Sequence, residues 1–231
     1  MEYAILPETT LAAIIRDEAM NPAGGIERFL RATLPHVEAA VIVDTGSIDG
    51  TKDILSSLDK EYPHLGVFHR EWDNFAQSRN YSLSKVKTKR VLVLDADELL
   101  THEDYEVMVE SIEEDMRVTY PVWGYDFAFR IIYPNGVQLI NEYDMMNPRL
   151  FEVEGVEYEG NIYGGDEGLN LSLEIIMQAP VRIKHFLPSK EAKNRKYQNW
   201  YCKGEFLSVQ PCAAALRDGW KEFNCGRNLF E

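Results

Sequence analysis

The chain contains 231 residues, with 24 basic and 38 acidic side chains and a formal net charge of −14. Because 45% of its residues are hydrophobic and 11% are aromatic, it can bury a sizeable core, which excludes wholesale disorder. The acidic balance argues against nonspecific nucleic-acid binding, which needs a basic surface. The longest apolar runs span five residues, whereas a membrane-spanning helix needs about 20, so we expect no integral membrane segment.

Cysteine usage and the amino terminus both bear on the cellular compartment. The three cysteines are widely separated and form no CxxC pair, which suits a reducing compartment and argues against a disulfide framework or a cysteine zinc site. The amino terminus lacks the basic start and apolar stretch of a secretory signal. These features predict a cytoplasmic protein.

Residues 1–100 alternate between short apolar runs and segments with helical spacing. The apolar runs predict strands at residues 10–15, 39–43, 66–69 and 91–94. Helices are predicted at residues 26–34, from a cap near residues 47–49 to about residue 58, at residues 75–86, and after Thr101. Because the strands are continuously apolar rather than alternating, they predict an α/β fold with an open, mostly parallel sheet covered by helices on both faces.

Caps and inward positions of these helices are also predicted. Ser47 or Asp49 can cap the second helix, and Thr101 can cap the fourth. The inward positions are Phe75, Leu83 and Val86 in the third helix, and Tyr105, Met108, Val109, Ile112 and Met116 in the fourth.

The pattern changes after residue 116, which predicts a second, smaller part of the same domain. Residues 120–140 are rich in aromatic and β-branched residues around Pro134-Asn135-Gly136, which predicts a hairpin. Further strands are predicted at residues 149–151 and 181–186, a Gly-rich loop at 155–168, and a helix at 190–207.

Five acidic residues follow the predicted strands: Asp17, Glu18, Asp44, Asp95 and Asp97. In open parallel sheets, ligands bind beyond the carboxyl ends of the strands, so we expect these residues to cluster at one edge. Asp95 and Asp97 are two positions apart, which places both carboxylates on one side of an extended segment. Such a pair can hold Mg²⁺ or Mn²⁺ with phosphate oxygens completing the shell, or it can be a pair of solvated strand-end acids.

Two more segments suit a nucleotide ligand. Asp44 ends a strand and precedes a turn, where a carboxylate can accept hydrogen bonds from a base or ribose; capping is the better reading for Asp49 and Thr51. Arg79 lies within a predicted helix beside the acidic strand ends. Its guanidinium can bind a diphosphate or neutralise those acids, and spacing alone leaves both open.

These segments, at residues 14–18, 43–51, 72–80 and 94–98, together resemble the signature of glycosyltransferase family 2 on a GT-A fold. The resemblance implies a nucleotide-sugar donor, usually a UDP-sugar, with Mn²⁺ or Mg²⁺ and inversion at the anomeric carbon. It implies that Asp44 contacts uracil or ribose and that the backbone near Ile15 and Asp17 lines the base pocket. It also implies that Arg79 approaches the base or diphosphate, Asp95 the ribose, and Asp97 the metal.

The later half resembles the family less closely. Residues 147–151 are similar to its Arg-Leu-Phe segment, and residues 183–186 to its strand-borne histidine, which implies that His185 completes the metal shell. A strand histidine can equally be structural. Tyr163 and Gly164 stand where the family has histidine and an acid, so the base is assigned instead to Asp166 or Glu167, with Glu159 a weaker third.

The one basic cluster, near residues 190–203, is mostly a solvated helix face, with Lys193 or Arg195 as the best phosphate contact. The resulting prediction is a single GT-A domain over residues 1–231, with a nucleotide-sugar-binding half at about 1–100 and an acceptor-side half at about 117–231. This domain is predicted to transfer a sugar to a hydroxyl of a glycan or glycoprotein. The alternatives are a non-catalytic nucleotide-sugar-binding relic, a nucleotidyltransferase, and a phospho-acceptor receiver domain.

Overall fold

The computed structural model describes residues 3–117, 122–141, 148–160, 167–170 and 175–189. Its strands are β1 Thr9–Ile15, β2 Ala39–Asp44, β3 Leu65–His69, β4 Arg90–Val93, β5 Glu98–Leu99, β6 Gly124–Ile132, β7 Gln138–Asn141, β8 Leu150–Glu152, β9 Tyr158–Gly160, β10 Glu167–Leu169 and β11 Ile176–Phe186. Its helices are α1 Gly25–Thr33, α2 Thr51–Glu61, α3 Phe75–Leu83 and α4 His102–Asp115, with a 3₁₀ turn at Leu34–His36.

Within the described residues, a nine-stranded sheet joins both halves of the chain in the order β3-β2-β1-β4-β8-β6-β11-β5, with β7 beside β6. The pairs among β1, β2, β3 and β4 are parallel, and β6 and β11 are parallel to each other. Because β8 is antiparallel to both β4 and β6, these six strands all run in one direction. The predicted mostly parallel sheet is confirmed, and the carboxyl ends of the six strands meet at one edge.

Helices pack on both faces of this sheet. Alternate residues of β1 face opposite sides, with Leu11 and Ala13 in a large core cluster and Ala12 in a smaller one. Buried residues of α1, α2 and α4 belong to the large cluster, whereas Ala76 and Leu83 of α3 belong to the small one. The helix α3 therefore covers the face opposite to the other three, beside the carboxyl edge.

Cap and turn predictions are confirmed at Thr101 and at the hairpin. Thr101 and Asp104 form a reciprocal capping box at the start of α4. The β6–β7 hairpin turns at the predicted site, where Gly136 has φ of 81° and donates its N–H to the Tyr133 carbonyl. Ser47 does not cap α2, because its hydroxyl accepts the Asp17 N–H instead.

Two predicted inward positions are wrong. Phe75 is 38% exposed at the first residue of α3, and Met116 is 58% exposed just beyond the end of α4. Each lies at a helix terminus, and the Phe75 ring packs edge-on against Trp72 rather than in the core. Val86 follows the end of α3 and packs against the small cluster, as predicted.

The strand boundaries of the later half also differ from prediction. The last strand begins at Ile176 rather than 181, and its register shifts between Gln178 and Arg182. Pro180 interrupts the ladder there because proline has no N–H to donate. The predicted loop at 155–168 contains β9, which pairs antiparallel with β10. The predicted helix at 190–207 lies outside the described residues.

Among the described helices, none has the length and apolar composition needed to cross a bilayer.

Candidate active site

The acidic turn between β4 and β5 is closed by two hydrogen bonds between its ends. The Glu98 N–H donates to the Asp95 carbonyl at 2.9 Å, and the Asp95 N–H donates to Oε2 of Glu98 at 2.9 Å. The segment is therefore a turn rather than the extended stretch on which the shared orientation of Asp95 and Asp97 was predicted. The carboxylates of the turn are therefore brought close by these two hydrogen bonds and not by an extended backbone.

Glu98 is the buried centre of this site, with a side chain only 1% exposed. Its Oε1 accepts a hydrogen bond from Nη2 of Arg149 at 2.8 Å and faces Nδ1 of His185 at 3.3 Å. Neither Glu98 nor Arg149 was predicted as a site residue. Both residues adjoin motifs that could have indicated them, because Glu98 directly follows the Asp-Ala-Asp motif and Arg149 opens the Arg-Leu-Phe segment.

Asp95 is held in its ionised form by two arginines. Nη2 of Arg79, from α3, donates to Oδ1 of Asp95 at 2.9 Å. Although burial opposes ionisation, the guanidinium groups of Arg79 and Arg149 hold the pKa of Asp95 well below its usual range. Arg79 also lies over the ring of Tyr158, at 5.7 Å from its centroid. In this arrangement Arg79 neutralises an acid of the turn, which is one of the two roles that its spacing allowed.

The carboxyl group of Asp97 lies in surroundings that disfavour its ionisation. Burial and the nearby carboxylates of Asp95, Glu98 and Glu18 raise the pKa of Asp97 to about 7, and His185 opposes this only in part. In the part of the chain that the structure describes, no hydrogen bond reaches its carboxylate. A divalent cation would relieve this repulsion, so the donor set fits a hard metal ion.

His185 is oriented as a metal-binding histidine would be. It pairs with Glu98 across the β11–β5 ladder, and the next residue, Phe186, donates its N–H to the Asp97 carbonyl at 2.9 Å. Because the Glu98 carboxylate accepts from Nδ1, Nε2 is the nitrogen available to a ligand. Burial lowers the pKa of His185, but the carboxylates of Glu98, Asp97 and Asp95 raise it more, so it lies above the usual value.

These residues would hold a metal only with help from a ligand. Among the described residues, no group of three or more His, Cys, Asp or Glu side chains is arranged to hold a metal ion. Asp97 and His185 would thus supply two donors and leave positions for phosphate oxygens, as is common for Mg²⁺ bound with a nucleotide.

The loops after β1 and β2 bond to each other at the same edge. Thr45 donates both its N–H and its hydroxyl to the Ile15 carbonyl, at 2.9 and 3.0 Å. Oδ1 of Asp17 accepts the Ile48 N–H at 2.8 Å, and Asp17 itself has φ of 55°. These contacts fix the backbone that is predicted to line a base pocket.

Asp44 is almost fully buried between these loops, with its side chain 1% exposed. Its Oδ1 accepts the Ser47 N–H at 3.0 Å, while Oδ2 faces Nδ1 of His69 at 3.3 Å and Nζ of Lys52 at 3.7 Å. The carboxylate therefore closes the turn after β2 and also faces two side chains that open to solvent.

The structure thus brings the predicted residues into two groups at one sheet edge. Asp95, Asp97, His185 and Arg79 gather around the acidic turn, whereas Ile15, Asp17 and Asp44 form the adjoining loops. Asn21 was also missed; its Nδ2 donates to the Ala96 carbonyl at 2.6 Å and fixes the turn. Asp166, Lys193, Arg195 and the side chain of Glu167 lie outside the described residues.

Comparison with known proteins identifies the fold and the family of this chain. The fold is a GT-A glycosyltransferase architecture. Residues 24–162 match the family model described as glycosyl transferase family 2, and the chain belongs to that family. The chain is therefore a glycosyltransferase, and the family match argues against the nucleotidyltransferase and receiver-domain alternatives.

The solved structures that resemble this chain share its fold at low sequence identity. S. aureus TarS 1-349 in complex with UDP-GlcNAc superposes with a TM-score of 0.56 and 12% identity, over 83% of this chain and 63% of the TarS 1-349 chain. The mannosyltransferase PcManGT from Pyrobaculum calidifontis, in complex with GDP-Man and Mn²⁺, gives 0.54 and 16%, over 95% and 68%.

A curated relative is considerably longer than this chain. A TPR repeat-containing protein of Synechococcus elongatus is 28% identical over 120 residues, which are 52% of this chain and 28% of the relative. The chain therefore spans little more than a quarter of that relative's length.

Proposed function

We propose that this protein is a metal-dependent, inverting glycosyltransferase that moves a sugar from a UDP-sugar to a hydroxyl of a glycan or glycoprotein. Family membership supports sugar transfer. The neighbours with the same fold are complexed with UDP-GlcNAc or with GDP-Man and Mn²⁺, which supports a nucleotide-sugar donor. We further propose one domain over residues 1–231, with its two halves joined through the shared sheet.

The observation that carries the proposal is the setting of Asp97, beside His185 and among other acids at the carboxyl edge of the sheet. Burial and the carboxylates of Asp95, Glu98 and Glu18 disfavour the ionised form of Asp97, which a bound cation would favour. Asp97 and His185 would hold Mn²⁺ or Mg²⁺ there, with the remaining positions left to the diphosphate. When bound, the metal supplies positive charge that stabilises the departing diphosphate.

The chain's own residues then bind the donor. The backbone at Ile15 and Asp17 lines the base pocket, and Asp44 contacts uracil or ribose. Asp95, paired with Arg79, meets the ribose, and Arg79 lies within reach of the base or diphosphate. Lys193 or Arg195 contacts the phosphates, and their charge opposes that of the leaving group.

Transfer requires a base for the acceptor. A carboxylate, Asp166 or Glu167, takes the proton of the acceptor hydroxyl. The acceptor oxygen attacks the anomeric carbon from the face opposite the nucleotide. The bond between that carbon and the diphosphate oxygen breaks, and UDP leaves with the electron pair. The anomeric configuration is therefore inverted.

Isothermal titration calorimetry of UDP binding, with and without MnCl₂, tests the donor and metal assignments. Binding should require the metal, and Asp97→Ala should abolish the metal-dependent part. Asp59→Ala, on the exposed surface of α2, is the matched control and should bind like the wild type. Undiminished binding by Asp97→Ala would defeat the assignment of the metal.

UDP release from a panel of UDP-sugars with MnCl₂ then separates an enzyme from a binding relic. The substitutions Asp166→Asn and Glu167→Gln should leave UDP affinity unchanged, and the one that removes the base should lower turnover by about 100-fold or more. Full turnover by both variants would remove the base assignment, and UDP binding without any release would favour the relic.

A further inference from the structure

A cavity, distinct from the proposed donor site, opens at the same sheet edge as the acidic turn. Its volume is about 450 Å³, within the range of small-molecule sites. The floor contains Phe186 at the end of β11, one wall is the β6–β7 hairpin with Tyr133 and Pro134, and the other is the loop after β1 with Met20 and Asn21. None of these residues is assigned a donor-binding role above, although Asn21 and Phe186 bond to the acidic turn.

This cavity is attached directly to the acidic turn. Asn21 donates to the Ala96 carbonyl at 2.6 Å, and Phe186 donates its N–H to the Asp97 carbonyl at 2.9 Å. In the sheet, the donor-side strands β1 and β2 lie on one side of β4, and β6 and β11 lie on the other. The turn is therefore bonded to one wall and to the floor of the cavity, the loop after β1 and the end of β11.

The lining chemistry indicates the class of ligand. The described lining residues include no charged side chain, so the lining itself offers no charge for a phosphate or an acidic ligand. The guanidinium of Arg28 lies over the Phe186 ring, at 5.6 Å from its centroid. The rings of Tyr133 and Pro134 stand beside neutral hydrogen-bonding groups such as Asn21 and Ser189. A sugar ring has this dual character, with an apolar C–H face and a rim of hydroxyls, and an aromatic ring can pack against such a face.

We propose that this cavity binds a neutral sugar ring of the acceptor, so that the acceptor is a glycan. The inference rests on the proposed function, because an inverting displacement needs the acceptor on the side of the anomeric carbon away from the nucleotide. The cavity adjoins the acidic turn and contains none of the residues assigned to the donor, so an acceptor can occupy it together with the nucleotide. Met20, whose side chain is 92% exposed at the rim, can adapt to the bound ring.

Saturation-transfer NMR with lactose, cellobiose and N,N′-diacetylchitobiose tests the proposal. At least one of these neutral disaccharides should bind the full chain, and Tyr133→Ala should weaken that binding about tenfold. Tyr133→Phe keeps the ring and should bind like the wild type, as should Val137→Ala, a control at an exposed position of the same hairpin. UDP with MnCl₂ should bind at the same time and should not displace the disaccharide.

The outcomes separate this inference from the proposed function. If UDP binds with MnCl₂ but no disaccharide does, or if UDP displaces it, or if Tyr133→Ala has no effect, only the cavity assignment is overturned. Binding of 1-octanol or an Ala-Ser-Ala peptide in place of the disaccharides overturns it as well. If UDP does not bind the wild type, the proposed function fails, and the acceptor role fails with it.

Discussion

Nη2 of Arg149 donates a 2.8 Å hydrogen bond to Oε1 of Glu98 and joins residues that are 51 positions apart. Arg149 immediately precedes β8, the antiparallel strand between β4 and β6, and Glu98 closes the acidic turn after β4. The ion pair therefore ties the later half of the chain to the turn. Because Oε1 of Glu98 also faces Nδ1 of His185 at 3.3 Å, one buried carboxylate positions both Arg149 and His185 at the site.

Replacing Arg149 with methionine should destabilise the fold strongly. The change leaves the Glu98 carboxylate buried without its main partner, and breaking a buried ion pair costs about 3–5 kcal/mol. His185 remains beside Glu98, so we expect a loss near the lower limit, about 3 kcal/mol, in the free energy of unfolding measured in urea. Arg182→Met, at an exposed position of β11, is the control, and an equal loss in both variants would contradict this role for Arg149.

Asn80 of α3 should hold the β9–β10 ribbon in place. Its Oδ1 accepts the Tyr158 N–H at 2.7 Å and its Nδ2 donates to the Tyr158 carbonyl at 2.9 Å, as a neighbouring strand would. Each hydrogen bond contributes about 1 kcal/mol, so Asn80→Ala should lower the free energy of unfolding by about 2 kcal/mol.

Hydrogen exchange distinguishes that local effect from a general one. The Tyr158 amide should exchange much faster in Asn80→Ala than in the wild type, whereas amides of β1 should change far less. Gln77→Ala, which truncates an exposed amide side chain of α3, is the matched control and should change neither. Unchanged protection at Tyr158 would show that the ribbon is held by other contacts.

The parts of this fold that were predictable from sequence are those set by local pattern. Continuous apolar runs indicated the parallel strands within one or two residues in the first half, and a strand-end rule then placed Asp44, Asp95 and Asp97 at one edge. The Asn-Gly turn marked the β6–β7 hairpin because its backbone needs a positive φ at Gly136.

The parts that were not predictable depend on contacts between distant segments. Glu98 gains its role from Arg149 and His185, which lie 51 and 87 positions away, and no local pattern encodes such pairs. The segment with β9 looks like a loop because β9 and its partner β10 have only three residues each, and because a distant side chain, Asn80 of α3, also holds β9. The acidic turn was wrongly taken as extended because spacing does not report that Glu98 folds back onto the Asp95 N–H.

Substituting Asp44 with asparagine should separate its contact with the nucleotide from its structural role. Asparagine keeps an acceptor for the Ser47 N–H but loses the charge that faces Lys52 and His69. If Asp44 contacts the nucleotide, its loss removes a charge-assisted hydrogen bond of about 1.5 kcal/mol, or about tenfold in UDP affinity.

Calorimetry with UDP and MnCl₂ measures the Asp44 effect, and urea unfolding of the same preparations measures stability. Lys52→Met removes one charged neighbour of Asp44 from a half-exposed position and is the control, with little expected change in UDP affinity. A stability loss in Asp44→Asn with unaltered UDP affinity would assign this residue to the turn alone.

His36 should make the fold less stable at mildly acidic pH. Its ring is buried, stacks on Tyr105 at 4.1 Å between centroids, and donates from Nδ1 to the Ala4 carbonyl at 2.7 Å. Burial lowers the pKa of His36 below its usual value; the nearby His102 adds to this, and the Ala4 contact and Glu106 oppose it. The unfolded chain, with a histidine pKa of about 6.5, therefore binds a proton at a higher pH than the folded chain does.

Because the folded-state pKa is the lower one, this contribution is fully present above about pH 6.5 and is lost as the pH falls toward the folded value. The urea concentration at the unfolding midpoint should thus decrease as the pH is lowered from 7.5 to 5.5. In His36→Gln, whose side chain cannot titrate, this decrease should be smaller, although the variant is less stable at pH 7.5. His185 has a raised pKa and acts in the opposite direction, but it is present in both proteins, so the difference in slope isolates His36. Identical slopes would mean that His36 does not couple protonation to folding.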